Sequence, residues 1–246
     1  MNIGMYQSAA SLNALERWQD AVSQNITSAQ VTGYRQRTVE FSASPTGEWD
    51  LNSADQGDES VPAQFPMAVP AINYTGGETT PTQRDLDVAI QGDGFFKIQA
   101  PDGTISYSRS GEFKIGMDHT ISSGGGQVMS TSDSPITLLP TAGKVVISPD
   151  GTVMQGSTVL GKLALEKFAS NSDLIPVAGG TFIPKDGAQP TAVEKPDLIQ
   201  GYLEGSNVTP MREMVDMVVI SRSYEANQKI IKSTDEQMQK TLDALG

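Results

Sequence analysis

The segment TPMREMVDMVVISRSYEANQKIIKSTDEQMQKTLDAL, from Thr209 to Leu245, contains no glycine and has a single proline at position 210. Thr209 can cap a helix that begins at Pro210, where the missing proline N–H costs no hydrogen bond. One seam, with neighbouring members three, four or seven residues apart, carries Met217, Ile220, Tyr224, Asn227, Ile231, Thr234, Met238 and Leu245. We therefore predict one helix of about 35 residues, roughly 50 Å long. A helix of that length needs a second helix to pack against.

The first segment of the chain can provide that second helix. Neither glycine nor proline occurs between Met5 and Gly33, so we predict a helix from about Met5 to Ser28, with Gly33 ending the segment. Its apolar seam consists of Leu12, Leu15, Val22 and Ile26. Polar residues interrupt this seam, and such a helix gains little stability alone. The two seams are the predicted assembly faces.

The middle of the chain has a different pattern. Residues 42–84 are rich in serine, proline, glycine and aspartate, which favours an extended connector with short strands such as Ala68–Ile72. From residue 85 to about 205, apolar residues alternate with others, and Pro101-Asp102-Gly103 and Pro149-Asp150-Gly151 mark tight turns. This pattern favours an antiparallel sandwich or barrel. The glycines predicted to form structural turns are Gly33, Gly92, Gly94 and Gly205.

The predicted fold class is α+β. Long N- and C-terminal helices pair in a coiled-coil-like bundle, and an antiparallel all-β domain is inserted between them. Three parts follow from this reading: a terminal helical assembly domain (1–41 with 206–246), an extended connector (42–84) and a β-rich outer domain (85–205).

Charge is unevenly distributed along the chain. The formal net charge is −12, yet residues 1–41 carry three acids and three bases, and residues 206–246 carry six acids and five bases. The middle therefore carries nearly all of the negative charge. Nucleic-acid binding normally needs a basic surface, so it is not expected. No stretch approaches the roughly 18 consecutive apolar residues of a membrane span, so membrane insertion is not expected either.

Side chains that carry chemistry are few. The chain has no cysteine and one histidine, His119, which excludes a thiolate nucleophile and a site with several histidines. Asp85, Asp87 and Asp93 lack the spacing of a calcium loop, and Gly124-Gly125-Gly126 lacks the Lys-Ser/Thr of a phosphate-binding loop and favours a hairpin tip. We predict no catalytic residue, cofactor or metal, although paired carboxylates for glycoside chemistry stay open because their separation is a spatial property.

The organisation itself indicates a function. Two paired helices leave part of their seams exposed, and exposed apolar faces mark interaction sites. Head-to-tail packing against other copies buries such faces and generates a helical filament when the rotation does not close a ring. The alternative is a helical hairpin that clamps a single copy.

Four blocks of sequence resemble the axial proteins of the bacterial flagellum, the rod and hook family. The blocks are Asn25-Ile26 with Gly33-Tyr34-Arg35; Leu86 to Phe96 (LDVAIQGDGFF); Tyr107 to Phe113 (YSRSGEF); and Gly201 to Val208 (GYLEGSNV), continued by Glu213 to Met217 and Ser223 to Asn227. They occur in the family's order and cover nearly the whole chain apart from the connector and the distal β region. The stretch from Thr27 to Thr32 departs from the asparagine run and Thr-Pro that the family commonly shows there.

The resemblance implies a non-enzymatic structural subunit of the flagellar basal-body rod, which polymerises through its terminal helices into the shaft that transmits torque. It implies contacts with itself and with other rod and hook proteins. It also implies export through the flagellar type III apparatus, without a cleaved signal peptide, to the periplasmic rod; Met1 to Tyr6 lack the basic start of a signal peptide.

The last block and the chain length favour the proximal rod, with the distal rod or hook as alternatives. A rival from another class is a secreted β-domain that binds or hydrolyses glycans, which would need a pocket with converging carboxylates or aromatic residues.

Overall fold

The computed structural model describes residues 3–50, 60–140 and 143–245 of the 246-residue chain. The chain divides into two compact units. The terminal unit comprises Met1–Ile26, Arg37–Asn73 and Thr209–Gly246, and the β unit comprises Thr27–Gln36 and Tyr74–Val208. Each unit is described by itself.

The terminal unit contains both helices, α1 (Ile3–Thr27) and α2 (Pro210–Leu245). Both helices that the sequence predicts are confirmed, and α2 has the predicted bounds. α1 ends at Thr27, one residue before the predicted end at Ser28. Gly33 follows with φ +69° in a turn of the β unit.

A long hairpin completes the terminal unit. Its strands β1 (Arg37–Asp50) and β2 (Ser60–Ile72) pair antiparallel, from Arg37 opposite Ile72 to Asp50 opposite Ser60. The predicted short strand Ala68–Ile72 is the end of β2. Most of the predicted connector before Asn73 is thus paired strand, while its residues 51–59 lie outside the described residues. On α1, Arg17 Nη1 donates to the Ala68 carbonyl over 3.1 Å, and the Trp18 ring meets Phe41 edge-on at 5.5 Å between centroids.

The β unit is built from short strands. They are β3 (Thr79–Pro81), β4 (Val88–Ile90), β5 (Phe95–Gln99), β6 (Ile105–Ser108), β7 (Lys114–Ile115), β8 (Ile121–Ser123), β9 (Gly126–Val128), β10 (Val145–Ile147), β11 (Thr152–Gln155), β12 (Thr158–Lys162), β13 (Leu165–Lys167), β14 (Leu174–Pro176), β15 (Thr181–Pro184), β16 (Thr191–Ala192), β17 (Leu198–Gln200) and β18 (Tyr202–Glu204). Two short 3-10 helices, Asn171–Asp173 and Ala178–Gly180, flank β14.

These strands form one large sheet and three small ones. The nine-stranded sheet has the order β14-β15-β6-β5-β9-β8-β7, with β13 pairing β5 and β16 pairing β13. The small sheets are β10-β11-β12, β17-β4 and β18-β3. Every strand pairing among the described residues is antiparallel, which confirms the predicted antiparallel β domain.

Turn chemistry explains the hairpins. Gly103 and Gly151 adopt φ near +88° in the predicted turns that join β5 to β6 and β10 to β11. Gly124 and Gly125, with φ of +58° and +89°, form the tip between β8 and β9, as the glycine run predicts.

A large apolar core lies in the β unit. Its largest buried side chains include Phe96 and Phe113, whose rings meet at 5.1 Å between centroids. The simple alternation predicted around β4 is not observed, because Val88, Ala89 and Ile90 are all buried. Both faces of this strand are thus covered, and at its edges β4 pairs with β17 and the preceding Asp87 bridges to Glu112.

Candidate assembly surface

The facing sides of the two helices share a small apolar cluster. Leu15 and Val22 of α1 and Ile220 of α2 are 9%, 2% and 1% exposed. Trp18, Ile26 and Met217 pack against them and are partly buried. This set is called the inner cluster below.

A polar contact joins the end of α1 to the start of α2. The Asn25 side chain donates to the Glu213 carboxylate over 3.0 Å, and both residues are 1% exposed. Asn25 also donates to the Arg37 carbonyl and accepts from the Arg37 N–H, at 2.7 and 2.8 Å. Glu213 lies in the first turn of α2, where the helix dipole favours a carboxylate.

These contacts fix the relative direction of the helices within one chain. Asn25, near the end of α1, meets Glu213, near the start of α2, while Leu15 and Val22 meet Ile220. Moving forward along α2 therefore means moving backward along α1, so the helices are antiparallel.

The seam predicted on α1 is only partly buried. Leu15 and Val22 are buried, whereas Leu12 and Ile26 are of intermediate exposure, and Leu12 lies outside the inner cluster.

The exposure of the seam predicted on α2 varies from residue to residue. Ile220 is buried and Met217 is partly buried, but Tyr224 and Met238 are 38% and 43% exposed. Asn227 and Ile231 are of intermediate exposure, and the side chain of Leu245 lies outside the described residues. The assembly role of both seams stays a prediction.

A second apolar stripe on α2 was missed by the sequence analysis. It faces away from the inner cluster and is exposed between 44% and 72%: Met211, Met214, Val215, Val218 and Val219. Its spacing of i, i+3, i+4, i+7 and i+8 is the ordinary signal of an amphipathic helix. The sequence contains this spacing, but α2 is apolar on two sides in its first three turns. The sequence analysis assumed one apolar seam and therefore described only one of the two sides.

The four sequence blocks of the resemblance meet at one buried ionic cluster in the β unit. Glu204 accepts from Arg35 Nη2 at 2.7 Å, from Arg109 Nε at 2.9 Å and from the Gly77 N–H at 3.1 Å. Arg109 Nη1 also donates to the carbonyls of Gly92 and Gly94, at 2.8 and 2.7 Å. Arg35, Arg109 and Glu204 are all at most 5% exposed. We define these three residues as the buried triad.

The triad explains three of the predicted turn glycines. Gly92 and Gly94, with φ of +91° and +126°, turn their carbonyls to Arg109. Gly33 allows close approach, since a Cβ there would lie 2.5 Å from the Arg109 carbonyl carbon.

The fourth predicted turn glycine, Gly205, follows the triad directly. Its N–H donates to the Glu78 carbonyl over 2.8 Å, and a Cβ at position 205 would meet that oxygen at 3.2 Å.

A cleft of about 600 Å³ borders the triad. Its lining includes Tyr74, Asp93, Lys167 and the triad itself. Burial raises the pKa of Tyr74 to about 12, against the opposing charge of Arg35. Burial also lowers the pKa of Arg109, against the attraction of Glu204. Because Glu204 already accepts from two guanidinium groups, it is held as a structural carboxylate.

Among the residues that the structure describes, no group of three or more histidine, cysteine or carboxylate side chains is placed to hold a metal ion. His119 is exposed at a turn with φ +61°. In the described part of the chain, neither helix combines the length and the apolar character that a bilayer crossing needs.

Comparison with known proteins defines the class. Residues 199–244 match the family model described as flagellar basal body rod FlgEFG protein C-terminal, and residues 89–155 match that of the flagellar hook protein FlgE/F/G D1 domain. Both models describe rod and hook proteins of the flagellum.

Full-length relatives define the family. The chain is 31% identical over 248 positions to the flagellar basal-body rod protein FlgF of Caulobacter vibrioides, covering 100% of this chain and 99% of that protein. It is 26% identical to FlgF of Mesorhizobium japonicum, covering 100% and 99%, and 29% identical to FlgG of Agrobacterium fabrum, covering 93% and 94%. The chain belongs to the family of flagellar basal-body rod proteins, which confirms the resemblance carried by the four blocks.

Proposed function

We propose that this protein is a structural subunit of the flagellar basal-body rod and polymerises through its terminal helices into the shaft that transmits torque. The observation that carries the proposal is the apolar stripe on α2, exposed up to 72%, in a chain whose full-length relatives are rod proteins. An exposed stripe of this kind is stabilised when another surface covers it.

The proposal assigns a part to each region. Residues 1–41 and 206–246 act as the assembly domain, with the inner cluster as a coiled-coil-like pair, and residues 85–205 act as the β-rich outer domain. The subunit contacts copies of itself and other rod and hook proteins. It reaches the periplasmic rod through the flagellar export apparatus, without a cleaved signal peptide.

The position within the rod is part of the proposal. Similarity to FlgF over the whole chain supports the proximal rod, with the distal rod as the alternative because FlgG relatives also align over most of the chain. Antibody labelling of isolated basal bodies distinguishes the two, since a proximal subunit is labelled at the end of the rod nearest the cytoplasm.

A glycan-binding or hydrolytic role is not favoured. In the cleft beside the triad, both oxygens of the Glu204 carboxylate are engaged by arginines, Oε1 by Arg35 and Oε2 by Arg109. The proposed role is therefore structural and not catalytic.

The deciding experiment is complementation of a strain that lacks the gene. The full-length chain should restore swimming and complete rods. A chain without residues 211–246 should restore neither, while the variant Met117→Ser, altered at a fully exposed side chain of the β unit, should behave as the full-length chain does. Swimming supported by the truncated chain, or by the strain without any copy, would contradict the proposal.

A further inference from the structure

The two arginines of the buried triad differ in how completely their donors are used. Every nitrogen of the Arg109 guanidinium has an acceptor, because Nε donates to Glu204 and Nη1 and Nη2 donate to three backbone carbonyls. Arg35 donates through Nη2, to Glu204 over 2.7 Å. Its Nε and Nη1 are buried and have no acceptor among the described residues. Arg35 therefore keeps donors that the described part of the chain does not use.

Buried donors of this kind normally have a partner. A buried N–H without an acceptor is costly, and most buried polar groups in proteins are hydrogen-bonded, so an exception indicates that a ligand or a water molecule binds there. Arg35 also lines the cleft of about 600 Å³ that borders the triad. A volume of this size is typical of sites for small ligands.

The charges of the cleft favour an anion. Its cations are Arg35, Arg109 and Lys167, and its acids are Asp93 and Glu204, so the lining is positive by one charge in a chain whose net charge is −12. The excess arises in the triad, because two guanidinium groups share one carboxylate. Lys167 and Asp93 are both exposed and are therefore partly screened by solvent.

Glycines leave room for a ligand beside the triad. Gly76, Gly77, Gly92 and Gly94 all line the cleft and contribute no side chain to it. A Cβ at Gly76 would lie 3.4 Å from Glu204 Oε1, whereas a Cβ at Gly92 would meet nothing within 4 Å. The space next to Gly92 is thus open.

We propose that this cleft binds a carboxylate group through the unused donors of Arg35, with the exposed amine of Lys167 adding a second positive charge. A guanidinium presents its donors in a rigid planar fork that matches the two oxygens of a carboxylate. Glu204 contacts one nitrogen of this fork and holds it in position. The Tyr74 hydroxyl is not a donor to the ligand, because it donates to the Asn171 carbonyl over 2.8 Å.

Calorimetric titration of the dilute full-length chain tests the proposal. The probes are succinate, inorganic phosphate and the peptide DQGDES, which copies residues 55–60 of this chain, all at one ionic strength set with chloride. Succinate represents a free small carboxylate, and the peptide represents the acidic side chains of a protein segment. We expect a carboxylate probe to bind more tightly than phosphate, and the tighter of the two carboxylate probes identifies the source.

Substitutions in the cleft should change the affinity in opposite directions. Arg35→Lys keeps a donor for Glu204 but lacks the planar fork, so the affinity should fall at least about tenfold. Lys167→Met should lower the affinity about two- to fivefold, and Asp93→Asn should raise it by a similar factor, because each removes one exposed charge. The matched control Lys195→Met, at an exposed lysine outside the cleft lining, should leave the affinity unchanged.

Nuclear magnetic resonance of the arginine Nε–H groups locates the bound carboxylate. The Arg35 signal should shift as the probe is added, while the Arg109 signal should move less, because its Nε already donates to Glu204. If Arg35→Lys does not fold, the variants at the exposed residues Lys167 and Asp93 still test the site. The proposal is overturned if neither carboxylate probe gives heat or shifts the Arg35 signal, or if phosphate binds as tightly as both. It is also overturned if Lys167→Met and Asp93→Asn leave the affinity unchanged.

Discussion

Replacing Ile220 by alanine tests whether the inner cluster holds the helices together within one chain. Ile220 is 1% exposed and contacts the Leu15–Val22 side of α1. The substitution removes three carbon atoms, which at about 0.8 kcal/mol per buried CH₂ amounts to about 2.4 kcal/mol. A residual cavity adds to this loss, and the better helix propensity of alanine returns about 0.4 kcal/mol. We expect the free energy of unfolding of the terminal unit to fall by about 2–3 kcal/mol.

The matched control is Val218→Ala, two residues earlier in the exposed apolar stripe of α2. Val218 is 53% exposed, so only about half of the roughly 1.6 kcal/mol for two carbon atoms applies. The gain in helix propensity, about 0.6 kcal/mol, offsets most of it. We expect a change within about 0.5 kcal/mol for dilute protein.

Trp18 provides the readout, since its ring packs against the inner cluster. Urea unfolding of dilute protein is followed by fluorescence in a Trp49→Phe background, because the chain has two tryptophans. Equal losses for Ile220→Ala and Val218→Ala would refute the assignment of inner and outer sides. So would a loss below about 0.5 kcal/mol for Ile220→Ala, because a fully buried isoleucine cannot be so inexpensive to truncate.

Three further predictions concern the β unit. Glu204→Gln leaves two buried guanidinium groups without their carboxylate, so the free energy of unfolding measured in urea should fall by about 3–5 kcal/mol. The control Glu112→Gln, at a partly exposed residue, should change it by less than about 1 kcal/mol. Equal changes for the two variants would contradict the stabilising role of the triad. Absorbance titration at 295 nm should show a tyrosine with a pKa of about 12 that disappears in Tyr74→Phe. Because the pKa of Tyr74 is raised in the folded state, its contribution to the free energy of unfolding is present below about pH 10 and is lost as pH rises through 12. A titration midpoint of Tyr74 near pH 10 would contradict this prediction. Gly33→Ala should lower the free energy of unfolding by at least about 2 kcal/mol, because φ is +69° and the added Cβ would lie 2.5 Å from backbone atoms. The control Gly103→Ala should lower it by about 1 kcal/mol, because φ is +87° but the space around the Cβ is open. Similar losses for the two variants would rule out the close approach at Gly33.

The helices were predictable because local signals define them. Pro210 and the absence of glycine fix α2, and α1 begins and ends within two residues of the predicted bounds. The antiparallel β unit was likewise predictable from glycine turns such as Gly103 and Gly151, where a positive φ is needed. Signals of this kind act over a few residues and do not depend on the rest of the fold.

Long-range pairing was not predictable in the same way. Arg35 and Glu204 are 169 residues apart, and neither position carries a local sign of its partner. The β1–β2 hairpin was missed as a long element for a related reason. Its backbone hydrogen bonds, not a strict apolar alternation, hold strands that contain Pro45, Pro62 and Pro66. Which side of α2 is buried also depends on α1, so periodicity alone could not distinguish the side of Ile220 from that of Val218.

The most direct test of the account is the concentration dependence of assembly by the full-length chain. Sedimentation velocity and negative-stain electron microscopy are compared for the unmodified chain, for Val218→Asp in the exposed apolar stripe of α2, and for Gln228→Asp, a change at another exposed position of the same helix. We predict that concentrated unmodified chain and Gln228→Asp form elongated assemblies, and that Val218→Asp stays monomeric with its inner cluster intact. A chain that remains monomeric at every concentration, or a Val218→Asp variant that assembles as well as the unmodified chain, would contradict assembly through the terminal helices.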